Sequence, residues 1–476
     1  MKKNYGKQLT ILALLIALTC AALAFSENDP AASSPAIVPP APVKSGILTF
    51  SGNLVQDKIF TGGDGRVSLS LSIQADEIKG QEAENTRYAD MVIVLDRSGS
   101  MEGQKLRDAK QAVLKLLGEL SPRDRFALVS YSGDVRQDSG LVPVTAANRE
   151  HLASVIAGVR SGGGTNLGGG LQQGISLLTS GKRNGNLGRL ILISDGLANE
   201  GITDQNSLGN MASAALEKEF AISAVGVGND FNEELMTAIA DRGTGNYYYL
   251  ETPESFANVF LNEFRSTRRA AATAVEIRIP LEKGVFLTDA AGYPVQVKNS
   301  TAVFYPGDLL SGQSRKIFLT FRVPVHEENT FDIRNISLAY LHRGESHNLT
   351  LTETFRIACV KDQKAALSSI RKDTWEKKVI HDEYNQLKQD VAAEIKKGNQ
   401  NAAMTRIAEY RKRQSLLNEV VQSPAVQENL DRDVAGLQDT VQETFAGEKE
   451  EVFRKQKSNA KALQFEGYQG RRKSGD

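Results

Sequence analysis

The sequence has 476 residues, with 57 Lys+Arg and 57 Asp+Glu, so its formal net charge is zero. This length exceeds a single ordinary hydrophobic core, and we expect several domains. The balanced charge argues against electrostatic binding of nucleic acid, because such proteins carry a basic excess or a basic face. The 41 glycines follow no collagen-like period. The composition is therefore that of a soluble, globular, multidomain protein.

The N-terminal segment has the layout of a secretory signal peptide. Lys2, Lys3 and Lys7 precede the apolar run 9–24, which ends in the small-x-small sequence Ala-Leu-Ala. The run is shorter than the roughly 20 residues that span a bilayer. We predict cleavage after Ala24 and export to the periplasm or the exterior, with an uncleaved N-terminal membrane anchor as the alternative. After cleavage Cys359 is the sole cysteine, which excludes an internal disulfide.

The remaining chain divides by composition into six parts. Residues 25–45 are rich in Pro and Ala, which is typical of an extended linker. Residues 46–78 contain alternating apolar and polar positions, the period of a half-buried strand. Alternating strand and helix patterns follow over 90–268, strand patterns over 274–358 and helical patterns over 361–465. The polar, basic segment 466–476 is predicted to be a disordered tail.

The region 90–268 is predicted to fold as an α/β domain. Its strand candidates are 91–95, 126–131, 190–194, 222–227 and 247–250, and helical patterns lie between them. This alternation predicts a doubly wound, mostly parallel, Rossmann-like sheet with helices on both faces. The region 274–358 predicts an antiparallel β-sandwich. We hypothesise that 46–78 completes this sandwich, so that the α/β domain is inserted in it or flanked by it.

The C-terminal region carries three apolar stripes at helical spacing. They comprise Leu367, Ile370, Val379, Tyr384, Leu387, Val391 and Ile395; Ala403, Ile407, Tyr410, Leu417 and Val421; and Val426, Leu430, Val434, Leu437, Val441 and Phe445. Ser423 and Pro424 form a good start for the third helix. The stripes indicate a helical hairpin or bundle. A coiled-coil-like surface for a partner or for self-association remains the alternative.

Three oxygen-rich loops follow strands of the α/β domain. They are Asp96-Arg97-Ser98-Gly99-Ser100, Gly162-Gly163-Gly164-Thr165-Asn166-Leu167 and Ser194-Asp195-Gly196. Ligands bind open α/β sheets outside the carboxyl ends of the strands, where strand order reverses. In the order 3-2-1-4-5-6, the strands before Asp96 and Asp195 are neighbours if a short strand lies near 141–144. The two carboxylates then face each other across the crevice.

Two carboxylates and three hydroxyls, without Cys or His, make a hard all-oxygen site. Such donors favour Mg²⁺, with Mn²⁺ or Ca²⁺ as alternatives, over zinc. The candidate ligands are Asp96, Ser98, Ser100, Thr165 and Asp195. If neutral hydroxyls make most of the direct bonds, the cation stays electron-poor and accepts a further oxygen, ideally a carboxylate of another protein.

These residues resemble a known family motif. The D-x-S-x-S run at Asp96, Ser98 and Ser100, with Thr165 and Asp195, is similar to the metal-ion-dependent adhesion site of von Willebrand factor A domains. The segments 194–199 and 165–168 are similar to the bacterial secreted branch, and the flanking β segments to inter-α-trypsin-inhibitor heavy-chain-like proteins. The resemblance implies direct coordination by the two serines and often Thr165, with the carboxylates acting partly through water. Members of the family bind proteins and are not enzymes.

Other interpretations of the same residues are weaker. The glycines 162–164 and 168–170 lack the Gly-Lys-Ser/Thr of a phosphate loop. A serine nucleophile needs a base, and His151 is the sole histidine of the α/β region. We therefore expect no enzyme and no nucleic-acid partner, but metal-dependent binding of a protein that offers a carboxylate. The alternative is an envelope scaffold or assembly factor that acts mainly through the C-terminal helices, with a structural metal.

Overall fold

The computed structural model describes residues 41–79, 87–181, 186–217, 220–251 and 255–472. The predicted signal peptide, residues 25–40 of the predicted linker and the last four residues lie outside this part of the chain. The strands are β1 Val43–Ser45, β2 Leu48–Leu54, β3 Lys58–Phe60, β4 Arg66–Ala75, β5 Ala89–Asp96, β6 Arg125–Tyr131, β7 Val135–Gln137, β8 Val142–Pro143, β9 Leu187–Ser194, β10 Phe220–Val227, β11 Thr244–Leu250, β12 Ala270–Pro280, β13 Phe286–Ala290, β14 Gln296–Lys298, β15 Thr301–Phe304, β16 Leu309–Leu310, β17 Ser314–Arg322, β18 Asn329–Ile333, β19 Ser337–His342, β20 Glu345–Thr350 and β21 Phe355–Val360.

The α-helices are numbered in the same way. They are α1 Gln104–Glu119, α2 Ala146–Gly158, α3 Leu167–Gly181, α4 Gln205–Glu217, α5 Glu233–Arg242, α6 Phe256–Arg269, α7 Gln363–Ser368, α8 Lys372–Lys377, α9 Tyr384–Lys396, α10 Gln400–Val421, α11 Pro424–Glu428, α12 Val434–Thr444 and α13 Lys449–Arg472. The π-helical segments Lys378–Glu383 and Asn429–Asp433 connect α8 to α9 and α11 to α12. Among the described helices, none combines the length and apolar character that a bilayer crossing requires.

The α/β domain is built on a sheet with the strand order β11-β10-β9-β5-β6-β7. The strands from β11 to β6 run parallel, whereas β7 and β8 pair antiparallel with β6. Every residue of β5, β9 and β10 is buried. Their mostly apolar sequences follow from this burial, because helices cover both faces of the sheet. As predicted, β5 and β9 are neighbours, with Val92 opposite Leu190.

The remaining strands form antiparallel layers around one shared core. One sheet has the order β1-β2-β4-β17-β13 and the other β14-β15-β12-β19-β20. In the first sheet Leu69 of β4 lies opposite Leu319 of β17, so strands from both sides of the α/β domain lie side by side. A small third sheet, β18-β21-β3, contains one parallel pair. The mostly parallel sheet, the additional antiparallel sheets and the C-terminal helices confirm the predicted fold class.

The C-terminal helices share one apolar core. The predicted stripes meet there, and side chains of α13 complete the core: Val379, Leu387, Val391, Ile395, Ala403, Ile407, Tyr410, Val426, Leu430, Val434, Leu437, Val441, Ala460 and Leu463 are buried in it. The Ser423 hydroxyl accepts a hydrogen bond from the N–H of Val426 at 3.1 Å, and Pro424 opens the helix. The arrangement is therefore a bundle rather than a hairpin.

Two predicted boundaries are wrong. The linker was predicted to extend to residue 45, but Val43–Ser45 pairs with β2. The tail 466–476 was predicted to be disordered, but α13 continues to Arg472. Its last turns are polar because they make ion pairs: Arg471 pairs with Asp382, and Arg472 with Asp241. The charged residues at the end of the chain, which the sequence pattern assigns to a disordered tail, therefore hold the end of α13 in place through ion pairs.

Candidate metal centre

The first loop of the candidate site follows β5. Asp96 ends the strand, and its carboxylate is fully buried. Its Oδ1 accepts a hydrogen bond from the N–H of Ser98 at 2.8 Å, which turns the chain back over the strand end. The hydroxyls of Ser98 and Ser100 then lie 3.1 Å apart, Ser98 buried and Ser100 exposed. The turn therefore presents two hydroxyls beside one carboxylate.

The second loop brings Thr165 to the first. The N–H of Gly99 donates to the Gly163 carbonyl at 3.2 Å, and the N–H of Gly162 donates to the Arg97 carbonyl at 2.8 Å. Gly163 has a φ of +82°, and a Cβ there would lie 3.2 Å from the Ser132 hydroxyl. The glycine therefore allows both the backbone conformation and the close contact between the loops.

The third loop, after β9, completes the cluster. Ser194 donates to Oδ2 of Asp96 at 2.9 Å, and Ser100 donates to Oδ1 of Asp195 at 2.6 Å. A Cβ on Gly196 would lie 3.3 Å from the Ser100 hydroxyl and 4.0 Å from the Thr165 hydroxyl. Gly196 thus leaves open the space that these two hydroxyls face. The five predicted ligands, Asp96, Ser98, Ser100, Thr165 and Asp195, come together at this edge of the sheet.

The Asp96 carboxylate is electrostatically costly without a nearby cation. Asp96 and Asp195 are both fully buried. The pKa of Asp96 is raised to about 6, because burial and, to a smaller extent, the nearby Asp195 outweigh the hydrogen bonds from Ser98 and Ser194 that lower it. In the described structure the hydrogen bonds to Asp96 come only from uncharged donors. Two buried carboxylates with hydroxyls on one side fit a hard divalent cation, which the five residues would hold.

The structure adds residues that the sequence interpretation missed. Lys105, in the first turn of α1, donates to Oδ2 of Asp195 at 2.5 Å. Asn199 fixes Thr165, whose N–H donates to Oδ1 of Asn199 at 2.8 Å. A sequence signal existed for Lys105, because a cation in the first turn of a helix opposes the helix dipole and requires a reason. Asn199 had no comparable signal.

The site opens into a cleft of about 740 Å³. Ser100, Thr165 and Asp195 line one part of it, and Phe453, Lys457 and Lys461 of α13 line another. Lys461 is ion-paired with Glu233 of α5 at 2.8 Å, which ties α13 to the α/β domain. The C-terminal bundle therefore forms part of the entrance to the candidate site.

The weaker interpretations have simple structural readings. Glycines 168–170 lie within α3, and a Cβ on Gly170 would lie 2.6 Å from the Tyr131 ring, so this glycine allows close packing of the helix on the sheet. His151 lies exposed on α2. Asp64 accepts a hydrogen bond from the N–H of Arg66 at 3.0 Å, which is ordinary turn chemistry. Tyr247 of β11 is buried against Phe465 and Tyr468, so it packs the sheet against α13.

Comparisons with known proteins concern the α/β domain above all. Residues 90–262 match the family model of the von Willebrand factor type A domain. The chain is 33% identical to the uncharacterized protein YfbK of Escherichia coli K12, over 45% of this chain and 37% of that protein. It is 27% identical to inter-alpha-trypsin inhibitor heavy chain H1 of Mesocricetus auratus, over 59% of this chain and 28% of that protein. The matches thus span about a third of these curated relatives.

Solved structures extend the similarity of fold beyond this region. A von Willebrand factor type A protein from Catenulispora acidiphila superposes with a TM-score of 0.66 at 16% identity, over 90% of this chain and 98% of that one. The ArnB paralog VWA2 from Sulfolobus acidocaldarius superposes with a TM-score of 0.52 at 16% identity, over 83% of this chain and 98% of that one. At such identity these likenesses concern the fold alone. The family-model match and the sheet topology together lead to one conclusion: residues 90–262 of this chain are a von Willebrand factor type A domain.

Proposed function

We propose that the chain is a divalent-metal-dependent protein-binding module of an exported protein. The cation, Mg²⁺ in the first place, is held by Asp96, Ser98, Ser100, Thr165 and Asp195 and accepts an acidic side chain of a partner protein. The observation that carries the proposal is the clustering of these side chains. The Ser100 hydroxyl lies 3.1 Å from that of Ser98 and donates to Asp195 at 2.6 Å, and Ser194, next to Asp195, donates to Asp96. The hydroxyls of Ser100 and Thr165 both lie beside the space at Gly196. Because A domains generally mediate protein–protein contacts through a metal site, the family match supports the same function. Export is proposed from the N-terminal sequence pattern alone.

The site favours binding over catalysis. The hydroxyls of Ser98 and Ser100 lie near the carboxylates of the site. The cationic side chain of Lys105 is ion-paired with Asp195. No described histidine joins the cluster. Among the described residues, the serine hydroxyls therefore have no imidazole base, and the carboxylate that accepts the Ser100 hydroxyl is a proposed metal ligand. We propose that the protein is not an enzyme.

A first test measures the metal alone. Calorimetric titration with Mg²⁺ and Mn²⁺ is expected to show one site in the wild-type protein. The double variant Asp96→Asn with Asp195→Asn should lose at least about 100-fold in affinity, since it removes both carboxylates while keeping their shape. Asp64→Asn, in an exposed turn, is the matched control and should bind as the wild type does. Equal binding by the double variant would refute the assigned ligands.

The alternative is a scaffold that acts through the C-terminal helices. The buried stripes speak against it, because their apolar side chains already pack within this chain. Exposed apolar residues remain on α10, where Leu416 is 44% and Val420 is 49% exposed. These two positions allow a test that leaves the bundle in place, whereas deletion of the helices would expose the core.

Capture from an envelope extract separates the two functions. Immobilised wild-type protein should retain a partner with Mg²⁺ and release it with EDTA, and the Asp96→Asn, Asp195→Asn variant should retain none. Leu416→Glu with Val420→Glu should not change the capture. Capture that resists EDTA and fails in the α10 variant would instead establish the scaffold function.

A further inference from the structure

Lys105 holds one of the two carboxylates of the candidate metal centre. Its ammonium lies 2.5 Å from Oδ2 of Asp195, while Oδ1 of the same carboxylate accepts the Ser100 hydroxyl at 2.6 Å. Asp195 is fully buried, and the Lys105 side chain is 33% exposed. The carboxylate is therefore shared between a fixed cation on one side and a candidate metal ligand on the other.

The position of Lys105 is not explained by its own helix. The first turn of α1 contains no acidic residue, and its N-cap, Gly103, makes no side-chain capping bond. The positive end of the helix dipole disfavours a cation there. Asp230, another acidic residue of the cleft, is paired with Lys457 at 2.8 Å. The ion pair with Asp195 is thus the contact that accounts for Lys105.

We propose that Lys105 is a specificity-determining residue with two effects. It weakens the binding of the metal to the protein, and it strengthens the binding of a carboxylate ligand to the bound metal. The inference rests on the proposed metal-binding function. An ammonium beside Asp195 offsets part of the negative charge that the carboxylate would lend to the cation. It also repels the cation directly. The protein consequently binds the metal less tightly. The bound metal retains more of its positive charge and therefore attracts a ligand oxygen of a partner protein more strongly.

The same ammonium suits the ligand that the metal attracts. Lys105 lines the cleft together with Ser100 and Thr165, so an entering anion meets the metal ligands and the ammonium in the same space. A carboxylate is small, anionic and rich in acceptor oxygens, which matches both cations. The partner group selected by this arrangement is an Asp or Glu side chain or a chain-terminal carboxylate.

The test uses Mn²⁺ as the metal and acetate as the carboxylate. Lys105→Met and Lys105→Gln remove the charge, and glutamine keeps a hydrogen-bond donor for Asp195. Lys105→Arg keeps the charge. Lys115→Met is the control, because Lys115 is an exposed lysine of the same helix, ten residues and thus about 15 Å further along it. Thermal unfolding monitored by circular dichroism establishes that each variant is folded.

Two quantities should move in opposite directions. Calorimetry should show that Mn²⁺ binds about tenfold more tightly to the Met and Gln variants than to the wild type. With the site saturated by Mn²⁺, paramagnetic broadening of ¹³C-acetate should show an affinity for acetate about tenfold weaker in the same variants. The Arg and Lys115→Met proteins should stay within about twofold of the wild type in both measurements.

The outcomes distinguish this inference from the function on which it rests. Unchanged or weaker Mn²⁺ binding in the Met and Gln variants would overturn the role of Lys105, as would tighter Mn²⁺ binding without loss of acetate. If Lys105→Met does not fold, Lys105→Gln decides. A wild-type protein that binds no Mn²⁺, or binds it without broadening acetate, would instead contradict the proposed function.

Discussion

Replacement of Arg471 by methionine should lower the free energy of unfolding by roughly 3–5 kcal/mol. The Arg471 side chain is 4% exposed, and its Nε donates to Oδ1 of Asp382 at 2.8 Å. It also pairs with Asp289 of β13. Burial raises the pKa of Asp382, and the charge of Arg471 opposes that shift. Without Arg471, a buried carboxylate loses its main partner, so the cost exceeds that of a surface ion pair.

Urea unfolding followed by circular dichroism measures this effect. Arg454→Met is the control, because Arg454 is an exposed arginine of the same helix, and it should change stability by less than about 0.5 kcal/mol. A double variant, Arg471→Met with Asp382→Leu, should recover part of the loss, since it removes the carboxylate left without its partner. If Arg471→Met lowered the free energy of unfolding no more than Arg454→Met does, the ion pairs of Arg471 would not stabilise the end of α13.

Replacement of Glu383 by glutamine should remove a pH-dependent contribution of roughly 3 kcal/mol. Burial opposes ionisation of Glu383, but Lys378 and Arg413 outweigh it and hold the pKa at about 2, below the usual 4.5. Because the folded-state pKa is lowered, the contribution is fully present above pH 4.5 and is lost as the pH falls toward 2. The glutamine variant should therefore be less stable at pH 7 and nearly equal to the wild type near pH 2.

The measurement is the difference in unfolding free energy between wild type and variant at several pH values from 7 to 2. Other carboxylates titrate in the same range, so the difference, and not either curve alone, reports on Glu383. Glu409→Gln, at an exposed position of α10, is the control and should change stability at pH 7 by less than about 0.5 kcal/mol. A Glu383→Gln difference that stays constant over the whole range would show that the carboxylate is not held by these cations.

The sequence predicted the α/β domain and the position of its site because local patterns encode both. β5 and β9 contain the unbroken apolar runs 91–95 and 190–193, and each strand ends in an oxygen-rich turn. The contact between Gly99 and Gly163 shows that the glycines before Thr165 allow two of these turns to approach each other closely. Metal binding by these residues stays a prediction that titration will decide.

The sequence did not predict features that depend on partners far along the chain. Arg472 pairs with Asp241, and Lys105 with Asp195, across long stretches of intervening chain. Neither partner can be recognised from the local pattern, because a surface charge and a buried, paired charge look alike in sequence. For the same reason the last turns of α13 resembled a disordered tail, and the helix wall of the cleft was not foreseen.

The pairing of β4 with β17 constrains the order in which the protein can fold. Leu69 and Leu319 are opposite each other, although about 250 residues separate them. At synthesis rates of 5–20 residues per second, β17 follows β4 by roughly 12–50 seconds. During that interval β4 has β2 on one side and an open edge on the other, which is the kind of surface that pairs with a wrong strand.

The inserted A domain has all its strands between β4 and β17 and can fold before β17 is made. Its folding then brings residues 89 and 269 to their final separation and shortens the loop that β4 and β17 must close. We therefore expect the folded A domain to bring β4 and β17 together faster than an unfolded connection of the same length would.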